Sequence, residues 1–120
     1  MTLNEYQAQA MSTCMKSCDN FSYMMLNLVG EVGEFASKVA KQVRKEKLIV
    51  GGNVLRNSLI TSKKLDDNEF FQLDIELQKE AGDILWQLAG LCKVMGWELE
   101  EVAQANLNKL ASRKERGVIE

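Results

Sequence analysis

At 120 residues the chain is sized for a single domain, residues 1–120, with a real core, yet small enough that self-association would help it. A net charge of −2 gives no basic field for a nucleic-acid polymer. Positive charge still gathers at 38–47 and 109–116, so a nucleotide suits the chain better. Three cysteines without any histidine, Cys14, Cys18 and Cys92, argue against a disulfide framework or a zinc site and read as plain thiols.

Proline is absent and 46% of residues are hydrophobic, in long runs free of helix breakers, which favours an all-α fold. Residues 1–19 are polar and periodic, unlike a signal peptide, and no apolar run reaches the length of a membrane span. The expected location is the cytoplasm, with no membrane partner.

In chain order, Thr2 is placed to cap a first helix, with Glu5 three residues on as in a capping box. Leu3, Tyr6, Ala10, Met11 and Cys14 form its apolar side, and the helix is expected to reach about Cys18. Asp19 and Asn20 break it. Ser22 then reads as the N-cap of a second helix to about Lys45, with Met25, Leu28, Val32, Phe35, Val39 and Val43 inward.

From 46 to 68 the helical period fails. Leu48, Ile49 and Val50, then Gly51-Gly52, then Val54 and Leu55, read as β-branched arms about a glycine turn, or else as an unstructured connector. Asp67 or Asn68 caps a third helix, about 69–95, with Phe70, Leu73, Leu77, Ile84, Leu88, Leu91 and Met95 on its stripe. Trp86 lies opposite that stripe, and Leu26 is similarly placed on the second helix. Burial on a second side, by another subunit or by the first helix, would account for them.

Gly96-Trp97 ends the third helix, and a fourth runs from about Glu98 to Arg116, acidic at its start and basic at its end, as the macrodipole favours. Gly117 closes it. Asn106 points into the apolar arc of that helix with Lys109 and Arg113 beside it. These three are either a polar strip able to bind phosphate oxygens or an ordinary solvated flank.

Two stretches resemble each other: Glu31-Val32-Gly33-Glu34-Phe35 and Glu80-Ala81-Gly82-Asp83-Ile84. The likeness extends outward, with Leu28 on Leu77, Val39 on Leu88 and Ala40 on Ala89. Acids three apart lie about 60° from one another around a helix and can serve one ligand together. Packed stripe to stripe, the two helices would bring four carboxylates to one rim, where mutual repulsion calls for a cation. Oxygen donors without His or Cys suit a hard ion, Mg²⁺ or Mn²⁺. Either acid pair alone reads as a solvated ionic face, with Glu34 able to pair with Lys38. Two copies in register, each with a glycine that suggests close approach of a helix or ligand, favour the metal.

Taken together, Glu31-x-x-Glu34, Glu80-x-x-Asp83 and Asn106-x-x-Lys109-Leu110-x-x-Arg113 resemble the MazG-like branch of the all-α nucleoside triphosphate pyrophosphohydrolases. The resemblance covers about 3–45 and 69–117. It implies a four-helix MazG-like bundle in a homodimer or homotetramer, and Mg²⁺-dependent hydrolysis of a nucleoside triphosphate to the monophosphate and pyrophosphate. It also implies that Glu31, Glu34, Glu80 and Asp83 bind the metal, with Glu34 orienting the attacking water. Lys38, Lys109 and Arg113 would neutralise phosphates, and Asn106 would hold substrate or a ligand carboxylate. Residues 47–68 then stand as an insertion, a small hairpin or flexible segment, whose expected bearing is on base selection. The fourth helix also departs from the pattern, since it lacks the Ser or Thr cap often seen before its start. Two other functions fit the residues: a relative acting on phosphoribosyl-ATP, and a non-enzymatic helical module that binds a partner through exposed apolar residues.

Overall fold

The computed structural model describes residues 1–48 and 65–118, and the expected hairpin or flexible segment falls largely outside them. The fold is all-α. Among the described residues four helices carry it: α1 (Leu3–Met11), α2 (Phe21–Arg44), α3 (Asp67–Val94) and α4 (Leu99–Glu115), with a short 3-10 turn at Lys16–Cys18. None of the described helices is long and apolar enough to cross a membrane.

Local chemistry sets the helix ends. Thr2 accepts from the Glu5 amide at 3.0 Å and the Glu5 carboxylate accepts from the Thr2 amide, so the capping box is present. α1 stops at Met11, well short of Cys18. Ser12 and Thr13 turn their hydroxyls back onto the Gln9 and Ala10 carbonyls, the local bonding by which such residues compete with helix continuation. Asn20, not Ser22, caps α2, its Oδ1 accepting from the Tyr23 amide at 2.8 Å. Asp66, not Asp67 or Asn68, does the same for α3, accepting from the Glu69 amide at 2.7 Å. Gly96 and Gly117 end α3 and α4 with φ of 76° and 70°. Beyond them the Trp97 and Val118 amides reach back to the Cys92 and Arg113 carbonyls at 2.8 Å, which closes each helix in a Schellman turn.

The chain forms two compact units, Met1–Leu26 with Trp86–Glu120, and Asn27–Leu85. In the first, Ala10, Met11, Met24, Ala89, Cys92 and Leu99 make the core, with Tyr6, Tyr23, Trp86 and Val102 against it. Here α1 covers Trp86, whose indole N–H points to the Ala10 carbonyl and the Thr13 hydroxyl, each at 3.0 Å. Of the two causes expected for its burial, the first helix is the one found. α1 also caps α4, which has no side-chain cap of its own. Gln7 Oε1 accepts from the Leu99 amide at 3.0 Å and Asn4 Oδ1 from the Glu100 amide at 3.1 Å. Donors that helix geometry leaves unpaired are thus satisfied from a distant part of the sequence.

In the second unit Leu48, Leu65, Leu73 and Leu77 are buried, with Phe35, Val39 and Phe70 packed against them. Within this unit α2 closes where Glu46 takes a left-handed φ of 59° and the Lys47 amide bonds the Gln42 carbonyl. Lys47 is ion-paired with Glu69.

Only part of the expected α2 stripe is covered in the single chain. Phe35 and Val39 pack inward, but Met25, Val32 and Val43 are 45%, 50% and 42% exposed. On α3, Leu73 and Leu77 are buried, whereas Leu88 and Met95 are exposed. A helical wheel drawn from the sequence ranks the apolar face of each helix but does not say whether the same chain covers all of it.

Candidate metal centre

Within the second unit, α2 supplies Glu31 and Glu34, and α3 supplies Glu80 and Asp83. Amphipathic packing of Phe35 and Val39 on one helix and Leu73 and Leu77 on the other sets the face that each acid borders. Glu31, Glu80 and Asp83 can each offer a carboxylate oxygen to a group in which all lie within 4.8 Å of one another. Glu31 and Glu80 are half-buried and Asp83 is exposed. Glu34 stands outside this trio and is exposed, though its charge still reaches Glu31.

Electrostatics within the cluster are unfavourable without a cation. Burial pushes the Glu31 carboxyl above its ordinary value, and the charge of Asp83 pushes it further, followed by those of Glu80 and Glu34. Asn27 opposes the shift by donating to Glu31 Oε1 at 3.3 Å. An all-oxygen donor set, negatively charged and partly withdrawn from water, fits a hard divalent ion.

Lys38 sits at the edge of the cluster, with Nζ 3.6 Å from Glu80 Oε1 and 3.8 Å from Glu76 Oε2. Its ion pairs thus run across to α3 and not along α2 to Glu34. Asn27 and Glu76 were not singled out from sequence. Each lies four residues before a cluster acid, on the same helix face, so the helical period held the signal.

Two expectations need correction. Gly33 and Gly82 do not mark a close helix contact, because a Cβ at either would meet nothing within 4 Å among the described residues. Asn106 is not buried in the apolar arc of α4; it is exposed, as is Lys109, because the short α1 does not cover that part of α4. In the first unit these two line an open groove of about 490 Å³ with Trp97, Glu101, Val102 and Ala105. Arg113, one turn further along, is half-buried.

A family model described as the MazG nucleotide pyrophosphohydrolase domain matches residues 19–118. The chain is also similar to the Gene 37 protein of Mycobacterium phage L5, with 36% identity over 127 positions that take in all of this chain and 95% of the relative. No solved structure matches it.

Proposed function

The chain belongs to the MazG nucleotide pyrophosphohydrolase family, and on that premise we propose that it hydrolyses a nucleoside or deoxynucleoside triphosphate, standard or modified, to the monophosphate and pyrophosphate. The observation that carries this reading is the convergence of Glu31, Glu80 and Asp83. These three hold Mg²⁺ or Mn²⁺, with Glu34 beside them. When bound, the ion supplies charge neutralisation on the phosphate oxygens and on the departing pyrophosphate.

The remaining work falls to the chain itself. Glu34, exposed and near Glu31, is the group that orients the attacking water. Lys38 sets an ammonium at the edge of the cluster, where phosphate oxygens arrive. Asn106, Lys109 and Arg113 serve as further substrate-binding groups, the cations taking phosphate and the amide a hydroxyl or ligand carboxylate. Positioning and fixed charge provide most of the acceleration in such phosphoryl transfer, and no histidine or cysteine nucleophile is required.

The partner of this chain is proposed to be a second copy, in a homodimer or homotetramer. Support comes from Leu26, Val29 and Phe71, which are 74%, 67% and 59% exposed on helices that pack part of another face inward.

A panel of nucleoside triphosphates and phosphoribosyl-ATP, with Mg²⁺ and Mn²⁺ and pyrophosphate release as readout, tests the activity. Turnover is expected with at least one nucleoside triphosphate. Selective turnover of phosphoribosyl-ATP would transfer the activity to that neighbouring reaction. No turnover by folded protein across the panel would contradict the enzymatic reading.

A further inference from the structure

Lys38 carries one positive charge into a cluster proposed to take a divalent ion. Its Nζ lies between two carboxylates four residues apart on α3, 3.6 Å from Glu80 Oε1 and 3.8 Å from Glu76 Oε2. The two anchors differ. Glu80 belongs to the trio with Glu31 and Asp83 and its side chain is 15% exposed, whereas Glu76 lies outside the trio with its side chain 52% exposed. Water therefore screens the pair with Glu80 less than the pair with Glu76.

A metal ion and the Lys38 ammonium both draw on the negative charge of Glu80, and each repels the other at short range. We infer that Lys38 is an internal competitor for Glu80: it neutralises that carboxylate in the metal-free protein, and moves its charge toward Glu76 and the incoming triphosphate once Glu80 is engaged. Glu76 keeps the displaced ammonium at the edge of the site, within reach of phosphate oxygens, where a lone lysine would swing into solvent. The residue then acts as a positioning residue as well as a phosphate ligand. It tempers metal affinity in the free protein and adds to substrate affinity in the loaded one. This inference rests on the metal reading proposed above.

The test is Mn²⁺ binding to the whole, substrate-free protein, measured by electron paramagnetic resonance of the free ion, in wild type, Lys38→Met, Lys38→Gln and Lys38→Arg. Lys41→Met, which removes an exposed cation three residues further along α2, is the control. Removing the competitor should tighten Mn²⁺ binding about threefold to fivefold in both neutral variants, the scale of one partly screened charge pair. Lys38→Arg should stay near wild type, and Lys41→Met should change affinity less than twofold. The neutral variants should at the same time raise the KM for the triphosphate. Unchanged or weaker Mn²⁺ binding in Lys38→Met and Lys38→Gln would overturn the competitor role while leaving the metal site standing. An equal gain in Lys41→Met would reduce it to general charge and overturn it too. Failure of the wild type itself to bind Mn²⁺ would remove both the metal site and this inference.

Discussion

The two units of the chain handle polar groups in opposite ways. In the first, polar side chains near the core are bonded: Gln87, 1% exposed, donates to the Met24 carbonyl and sulfur, Gln7 bonds the Ala89 and Trp97 carbonyls and the Leu99 amide, and Trp86 is held by Ala10 and Thr13. In the second, three acids stand together with their repulsion relieved only in part, by Asn27 and Lys38. Satisfied polar groups fix a structure, while a cluster left short of positive charge is a candidate for binding a ligand. The contrast separates the bonded polar groups that hold the first unit together from the acid cluster proposed to take an ion.

Substitutions should respect that separation. The largest effect is expected for Asp83→Asn or Glu80→Gln, which remove one ligand charge while keeping the shape. Pyrophosphate release should fall on the order of a thousandfold, the scale for losing a group that stabilises transition-state charge, and the thermal midpoint of the metal-free protein should not fall. If stability dropped in step with activity, the second unit would be doing the work assigned to the first.

Next in size is Gly90→Val. A Cβ at Gly90 would run into the end of the Met24 side chain, and Met24 is fully buried and has little room to retreat. Such overpacking costs about 1–3 kcal/mol, to be read from denaturant unfolding. Affinity for Mn²⁺ in the protein that remains folded should not change. Gly82→Ala should behave in the reverse manner. Open space around its Cβ leaves only the helix-propensity gain of about 1 kcal/mol, so the metal-free protein should become more stable. Loss of turnover in that variant would show that the space is reserved for substrate.

The smallest effect is a pH dependence that Glu31 lends to the second unit. Because Glu31 binds its proton more tightly when folded, its contribution to stability is present below the ordinary glutamate value of 4.5 and is lost as pH rises through the raised one. Metal-free wild type should therefore lose some stability as pH is raised above that value. Glu31→Gln should flatten this part of the curve, and added Mg²⁺ should counter it in wild type but not in the variant. A curve of the same shape in Glu31→Gln would contradict the assignment.

Much of this was legible in the sequence, for reasons that are local or periodic. The Thr2 and Glu5 capping box and the glycine ends at Gly96 and Gly117 follow from spacing along a helix. So does the rim where Glu31, Glu80 and Asp83 meet, although the same spacing put Glu34 there and the structure leaves it outside the group. What escaped depends on partners distant in sequence. The capping of α4 by Asn4 and Gln7 joins residues more than ninety positions apart, and the Lys38 ion pairs cross from α2 to α3. The helix starts at Asn20 and Asp66 were one or two positions from those expected, because several residues in each place can cap. Exposure of Asn106, Val32 and Met25 was out of reach, since a wheel ranks faces without saying what covers them.

The divalent ion proposed at Glu31, Glu80 and Asp83 is read most directly by paramagnetic broadening in the amide spectrum of the metal-free protein. Substoichiometric Mn²⁺ should first broaden Val32, Gly33, Ala81 and Gly82, which flank those acids, and Glu80→Gln should sharply weaken the effect. Broadening that begins elsewhere, or that survives unchanged in Glu80→Gln, would contradict it.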